Sequence, residues 1–169
     1  MKTYETERLI IKPTNTEDAK FIFEIMNTPK YHKYIGDRNI KSLEDAENYI
    51  KNRMLLQYEK VGFGNFTIIL KSDDSKIGFC GIYLRDGLDI PDIGFAFFEE
   101  FEGKGYAFEA ASELKKLAKT EFGLQKLSGI TVEYNHSSRK LLEKLGLKFQ
   151  KKFFMEGDPE ELMYYETEL

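Results

Sequence analysis

The spacing of apolar residues predicts a strand followed by two helices in the first third of the chain. A compact apolar run from Arg8 to Lys12 favours a strand. Apolar positions then recur at helical spacing after Thr14, whose side chain is expected to form a capping box with Glu17. A second helical pattern begins after Ser42, a residue type that is common at helix N-caps. The segment between the two helices, 31–40, shows no regular period.

The rest of the chain alternates between strand-like and helical spacing. Apolar residues between Lys104 and Phe122 lie at helical spacing, and Gly123 is expected to end that helix. The order of elements predicts a mixed α/β fold, α+β-like, with about seven strands in a partly antiparallel sheet and about four helices. One βαβ crossover lies in the middle. The other predicted elements are strands at 66–70, 77–84, 92–98, 126–132, 147–154 and 162–167 and a helix at 135–145.

Size, charge and cysteine content narrow the class of protein. The 169 residues are a normal length for one domain, so we expect residues 1–169 to form a single domain. The net charge of −4 argues against a nucleic-acid partner, which usually binds a basic surface. The single cysteine, Cys80, lies in an apolar run and is expected to be a buried structural thiol. Because no run reaches the roughly 18 apolar residues of a membrane span and no signal peptide is evident, we expect no membrane partner and a cytoplasmic location.

A turn with two glycines, Glu102 to Ala107, joins a predicted strand to the long central helix. Backbone N–H groups at a helix start have no partner within the helix, and the helix dipole adds positive potential there. Glycine lets a phosphate approach the backbone closely, so a diphosphate-bearing ligand is the expected guest. On its own, the G-x-G pattern is equally well explained by turn geometry. The segment lacks both the G-x-x-x-x-G-K-S/T pattern and the third glycine of a dinucleotide-binding turn.

Four segments, of which this turn is one, together resemble a known family. The turn is similar to the Q/R-x-x-G-x-G/A signature of the GNAT N-acetyltransferase superfamily. Thr6 to Pro13 resembles the T-E-R-L-x-L-R-x opening of its RimJ/RimL-type branch, and Asp92 to Phe95 resembles the strand before the glycine turn. Asn135 to Leu147 is similar to that branch's N-x-x-S-x-x-L/V-x-x-K-x-G-F/L segment. The resemblance covers residues 3 to about 167.

The resemblance implies a GNAT-type sheet that is splayed where acyl-CoA binds, and an N-acetyltransferase that uses acetyl-CoA. It implies that the backbones of Phe97 and Phe98 bind the pantetheine arm in the manner of an added strand. It places Asn135, which also suits a helix N-cap, at the pantetheine amides, and Ser138 near the thioester sulfur. The diphosphate would lie on the backbone N–H groups of Gly103, Lys104, Gly105, Tyr106 and Ala107.

Two residues depart from the family pattern and affect the expected chemistry. Glu102 stands where Gln or Arg is usual, which places a carboxylate beside the expected diphosphate. Leu142 stands where many members carry a general-acid Tyr, so the thiolate leaving group would be protonated by Ser138, by water or by no group of the protein at all. The implied reaction is direct attack of a neutral amine on the thioester in a ternary complex. The candidates for the general base are Asp92, Glu99 and Glu100.

The sequence leaves the acceptor and the catalytic status open. The acceptor is a protein N-terminal α-amine or a small amine, and the acidic net charge is compatible with a cationic one. A non-catalytic CoA-binding or regulatory module on the same fold is the alternative to an enzyme. No metal is expected, and both a monomer and a homodimer fit the sequence. The residues expected to line the acceptor pocket are Tyr31, His32, Tyr34 and Ile35.

Overall fold

A single sheet of eight strands runs through the molecule in a computed structural model of residues 1–169. The strands are β1 (Tyr4–Glu5), β2 (Leu9–Pro13), β3 (Asn65–Leu70), β4 (Lys76–Tyr83), β5 (Asp92–Phe97), β6 (Lys126–Val132), β7 (Lys148–Phe153) and β8 (Leu162–Glu168). Their spatial order is β1-β2-β3-β4-β5-β6-β8-β7. All neighbours are antiparallel except β5 and β6, which are parallel and flank the predicted crossover. The mixed α/β fold is therefore confirmed.

The sheet has one strand more than the seven expected. Strand β1 contains only two residues, too few to give a period, and Glu5 lies opposite Ile10 of β2. Strand β2 also continues through Pro13, which lies opposite Phe66. Proline lacks an N–H to donate and is tolerated at such a strand end.

Six helices flank the sheet. They are α1 (Ala19–Met26), α2 (Pro29–Tyr34), α3 (Leu43–Tyr49), α4 (Leu56–Val61), α5 (Tyr106–Thr120) and α6 (His136–Lys144). A π-helical stretch, Ile50–Leu55, joins α3 to α4. Ser42 caps α3 as predicted, with its hydroxyl oxygen 3.0 Å from the Asp45 nitrogen. Helix α2 was not predicted because its six residues are too few to show a helical period; Thr28 caps it and Pro29 begins it.

The predicted capping box at Thr14 and Glu17 is wrong by one residue. Asn15 is the cap: its side-chain oxygen accepts from the Glu17 N–H at 2.9 Å. The Asp18 carboxylate accepts from the Asn15 N–H at 3.0 Å, which completes the box. Thr14 cannot serve because it is buried and its hydroxyl hydrogen-bonds to Thr67 at 2.8 Å.

Side chains of the sheet alternate between two apolar cores. On one face, Ile82 of β4 and Ile93 of β5 pack with Leu114 of α5. On the other face, Phe79 of β4 packs with residues of α1 and α3, among them Ile22. The sheet is therefore covered by helices on both faces. Cys80 is fully buried in the first core, and this confirms its structural role.

The parallel strands β5 and β6 separate soon after they meet. Strands β4 and β5 pair from Gly78 opposite Phe97 to Tyr83 opposite Asp92. In contrast, β5 and β6 share one register position, Asp92 opposite Ser128. The expected splay is therefore present, and it leaves a gap beside the C-terminal half of β5. None of the helices combines the length and the apolar character that a bilayer-spanning helix needs.

Candidate active site

A cavity of about 820 Å³ opens at the splay between β5 and β6. Strand β5, helix α2, the first turns of α5 and α6 and the loop between β7 and β8 all contribute to its walls. Most of the site residues expected from the sequence line this one cavity, whereas Phe98, Glu99 and Lys104 do not. The expected residues on its walls are Asp92, Phe97, Gly103, Gly105, Tyr106, Ala107, Asn135 and Ser138.

The free backbone edge of β5 belongs to Phe95 and Phe97. The Phe98 N–H donates to the Ile77 carbonyl at 3.0 Å, so Phe98 is bound to the sheet. Successive residues of a strand direct their backbone groups to opposite sides. Phe95 and Phe97 therefore face the gap beside β6. The expectation for Phe97 fits this geometry, but Phe98 cannot offer its amide, and Phe95 takes its place.

The glycine turn holds two residues in the left-handed region. Gly103 has φ +72° and Gly105 has φ +82°, a conformation that favours glycine. Helix α5 begins directly afterwards at Tyr106, so its first N–H groups are open to the cavity. Lys104 is not among the residues of the cavity wall, and its ammonium lies 6.0 Å from the centre of the Phe101 ring.

Glu102 is neutralised from across the cavity. Its carboxylate forms an ion pair with Lys30 of α2, and both side chains are about one-third exposed. Paired with a cation, the carboxylate repels a neighbouring anion less than it would alone. The departure from the family pattern at Glu102 is therefore compatible with a diphosphate at the turn.

The start of α6 presents two polar side chains to the cavity. Asn135 caps the helix, and its Oδ1 accepts from the Ser138 N–H at 3.2 Å. The cap uses the oxygen of the Asn135 amide and leaves its Nδ2 group available to a ligand. Leu142 lies further along the helix and is buried against Gly129 in the core. It supplies no acid to the reaction.

Asp92 forms a buried ion pair in the wall of the cavity. The Arg85 Nε lies 2.7 Å from Asp92 Oδ1, and the Asp92 side chain is 2% exposed. Burial raises the pKa of Asp92, while the Arg85 charge acts in the opposite direction. The Arg85 guanidinium also lies 5.1 Å from the centre of the Tyr83 ring. Arg85 was missed in the sequence because it lies in a turn with no motif.

The other candidate bases lie elsewhere. Glu99 and Glu100 are exposed in a short 3-10 turn after β5 and do not line the cavity. The structure therefore does not bring Glu99 together with Asp92.

A chain of buried hydrogen bonds runs from the cavity wall into the protein. Tyr83 donates to Asn65 Oδ1, and Asn65 Nδ2 donates to the Thr14 hydroxyl at 2.8 Å. Thr14 and Thr67 are 2.8 Å apart, and Thr67 donates to Asp18 Oδ2 at 3.1 Å. Since Thr67 uses its proton on Asp18, Thr14 must donate to Thr67. Every donor therefore points towards Asp18, and the Tyr83 oxygen can only accept from a ligand.

Asp18 is a completely buried carboxylate with two lysine partners. Lys76 lies 2.6 Å from Oδ1 and Lys12 lies 3.5 Å from Oδ2. Burial alone would raise the pKa of Asp18, but Lys76, the Asn15 N–H and Lys12 together outweigh it and lower the pKa. Asp18 is therefore ionised and is the final acceptor in the series of hydrogen bonds that begins at Tyr83.

The residues expected for the acceptor pocket also line the cavity. Tyr31, His32, Tyr34 and Ile35 all contribute to its wall from α2 and its C-terminal end. Tyr134 lies next to this wall and links the two segments that form it. Its hydroxyl donates to a Glu160 carboxylate oxygen at 2.7 Å, and its ring centre lies 5.8 Å from that of Tyr34. The loop 155–160, which completes this wall, carries no motif and was not predicted as part of the site.

These features together form one cavity that extends from the free edge of β5 to the glycine turn at the start of α5. A family model described as "Acetyltransferase (GNAT) domain" matches residues 8–148. "Uncharacterized N-acetyltransferase p20" of Bacillus licheniformis is 31% identical over 153 residues, which cover 89% of this chain and 84% of that protein. The chain belongs to the GNAT acetyltransferase family.

Solved structures agree with this assignment. The "acetyltransferase (GNAT family) from Bacillus anthracis" has a TM-score of 0.81 at 25% identity and covers 99% of this chain and 98% of its own. "RimL- Ribosomal L7/L12 alpha-N-protein acetyltransferase", solved with coenzyme A, has a TM-score of 0.79 at 11% identity and covers 99% and 98%. The protein is an N-acetyltransferase, and acetyl-CoA is its acyl donor.

Proposed function

We propose that this chain, as a single domain over residues 1–169, transfers an acetyl group to a primary amine by direct attack in a ternary complex. The observation that carries the proposal is the convergence of three features on one cavity. They are the free edge of β5, the glycine turn at the start of α5, and the buried carboxylate of Asp92. The first two fit the donor, and the third lies where an acceptor amine can reach it.

The proposed donor site uses mostly backbone groups. Phe95 and Phe97 would bind the pantetheine arm as an added strand. The N–H groups of residues 103–107 would hold the diphosphate, aided by the dipole of α5. Asn135 would donate from Nδ2 to a pantetheine carbonyl, and Ser138 would lie at the sulfur. The bound thioester supplies the acetyl carbonyl that the amine attacks.

Asp92 is the proposed general base. The amine must lose a proton, and Asp92 is the candidate carboxylate that lies in the cavity wall, whereas Glu99 is exposed outside it. The proton then leaves to water when product departs. Burial raises the pKa of Asp92 by more than Arg85 lowers it, but a carboxylate remains a much weaker base than a lysine amine, which favours an acceptor amine that is easily deprotonated.

The proposed acceptor is an α-amine of a protein N-terminus or a small amine of similar basicity. At pH 7, deprotonation costs about 1.4 kcal/mol for an α-amine of pKa about 8, but about 4.6 kcal/mol for a lysine of pKa about 10.4. A carboxylate that is paired with arginine is a sufficient base for the smaller of these two deprotonation free energies. The RimL protein named above acts on an α-amine, and its fold is the one seen here. We also propose a cytoplasmic location, which the buried free thiol of Cys80 fits.

A turnover screen tests the proposal. Acetyl-CoA consumption is measured by thiol release over N-terminal peptides, free amino acids, polyamines and lysine-containing peptides blocked at the N-terminus. We expect thiol release with one or more α-amines and little thiol release with the lysine-containing peptides that are blocked at the N-terminus. Coenzyme A binding without turnover of any amine would instead favour the non-catalytic module.

A further inference from the structure

The N-terminal Thr6 to Pro13 segment holds the start of helix α5. The Thr6 hydroxyl donates to Glu109 Oε1 at 2.6 Å, and the Arg8 N–H donates to the same oxygen at 2.9 Å. The Arg8 Nε donates to Glu109 Oε2 at 2.7 Å. Burial alone would raise the pKa of Glu109, but these hydrogen bonds outweigh it and lower the pKa. An ionised Glu109 therefore fixes one edge of the Arg8 guanidinium.

The other edge of the guanidinium reaches the glycine turn. Arg8 Nη1 donates to the Lys104 carbonyl at 3.0 Å. Its Cζ lies 4.4 Å from the centre of the Tyr106 ring, so the plane is also stacked on the first residue of α5. Arg8 Nη2 lies 3.3 Å from where a Cβ on Gly105 would be. A planar fork with two fixed edges holds an orientation that a lysine cannot.

The bond to Lys104 sets the direction of a neighbouring donor. The Lys104 carbonyl and the Gly105 N–H belong to one trans peptide group and point in opposite directions. With the carbonyl held by Arg8, the Gly105 N–H points to the other side, away from Arg8. Rotation of this peptide changes ψ of Lys104 and φ of Gly105, which is +82°, and glycine resists such a rotation less than any other residue.

We propose that Arg8 is a positioning residue for the coenzyme: it fixes the Lys104–Gly105 peptide so that its N–H faces the diphosphate. The inference rests on the proposed donor site at residues 103–107. In this proposal Arg8 acts through geometry, because its charge is already paired with Glu109. A peptide released from Arg8 can turn its carbonyl oxygen towards the diphosphate, which repels it.

The test compares Arg8→Ala and Arg8→Lys with the wild type. Coenzyme A binding is measured by calorimetry, and binding of pantetheine, which lacks the diphosphate, by NMR titration. Both variants are expected to bind coenzyme A about ten-fold more weakly, the effect of losing one hydrogen bond to an anion. Pantetheine affinity is expected to stay within about two-fold. Lys126→Ala, which breaks a surface ion pair at the far end of β6, is the control and should leave both affinities unchanged.

Three results would overturn the proposal. If Arg8→Lys bound coenzyme A as tightly as the wild type, a positive charge alone would be sufficient at this position. Equal losses of affinity for coenzyme A and pantetheine would show that Arg8 has a general structural role. Unchanged coenzyme A affinity in Arg8→Ala would show that Arg8 has no role in binding. Failure of the wild type to bind coenzyme A at all would instead refute the donor site itself. Melting temperatures of each variant without ligand identify any that fail to fold, in which case Arg8→Gln replaces Arg8→Ala.

Discussion

Arg85 and Asp92 form an ion pair of 2.7 Å where β5 begins to separate from β6. Asp92 is also the residue at which the two strands last share a register position, opposite Ser128. Arg85 thus holds the carboxylate of the proposed base, and the sheet holds its backbone. A base that is positioned in this way needs no rearrangement when an amine arrives.

Replacing Asp92 by Asn tests its role as the base. The amide keeps the shape but cannot accept a proton, so kcat with the best amine of the screen is expected to fall about 100-fold. Coenzyme A affinity should change little, because the donor site uses other groups. Glu99→Gln is the matched control, since Glu99 is exposed outside the cavity, and its kcat should stay near that of the wild type. The reverse ranking of the two variants would assign the base to Glu99.

The pH dependence of the reaction provides a second test of Asp92. A general base works only when deprotonated, so kcat falls as the pH drops through its pKa. Burial raises the pKa of Asp92, and the acid limb should therefore lie above that of an exposed aspartate, whose pKa is about 3.9. The profile is measured with an amine in excess at each pH. An acid limb that persists unchanged in Asp92→Asn would belong to another group.

Gly105→Asp is expected to abolish the rise in melting temperature that coenzyme A produces. The variant adds a negative charge in the turn that would hold the diphosphate, and its Cβ lies 3.3 Å from Arg8 Nη2, where the new carboxylate competes for the guanidinium that holds the turn. A ligand stabilises only the state that binds it. Gly123→Asp is the control: it has a similar φ, +67°, with open space around it, at the other end of α5. Both variants should melt below the wild type, but only Gly123→Asp should keep the response to coenzyme A. If coenzyme A raised the melting temperature of neither variant, backbone strain from the substitution would explain the loss and the position of the new charge would not.

Glu102→Gln is expected to strengthen coenzyme A binding a few-fold at low salt. The change removes a carboxylate beside the diphosphate and frees Lys30 to interact with it. Because the effect is electrostatic at a partly exposed site, it should shrink at high ionic strength. Calorimetry at two salt concentrations checks this, with Glu100→Gln as the control. Weaker binding in Glu102→Gln would show that the ion pair to Lys30 orders the site.

Asp18→Asn is expected to lower the free energy of unfolding at pH 7 by about 1.5–3 kcal/mol, the contribution of hydrogen bonds to a charged group. The folded-state pKa of Asp18 is lowered, so its contribution is complete above the unfolded pKa of about 3.9 and is lost as pH falls through the folded value. Denaturant unfolding at pH 7 and at lower pH measures the difference, which should narrow in acid. The exposed neighbour Glu17→Gln should show almost no change.

Features set by local sequence were predictable, and pairs distant in sequence were not. Ser42 and the helical spacing after Lys104 each specify an element within a few residues, and both predictions held. Arg8 meets Glu109 across 101 positions, and nothing in either segment marks the other. The prediction that Thr14 caps the helix was wrong for the same reason, because the Thr14 hydroxyl hydrogen-bonds to Thr67, which is distant in sequence.

The residues of the candidate site also fall into two groups, those that a local motif predicts and those that depend on the pairing of distant segments. Motif residues such as Asn135 and Gly105 lie in the cavity as expected. The difference between Phe97 and Phe98 depends on which side of β5 each amide faces, and that is known only once the pairing with β4 is known. Arg85 likewise depends on the hairpin that brings it to Asp92.

The single shared position of β5 and β6 has a mechanical consequence. Strands β1 to β5 form one continuous antiparallel ladder, and β6, β8 and β7 form another. A change in the angle between the two ladders about the contact of Asp92 with Ser128 would alter the width of the gap without breaking a hydrogen bond inside either ladder. Helix α5, which connects β5 to β6, and the apolar core that both ladders share limit the size of such a change.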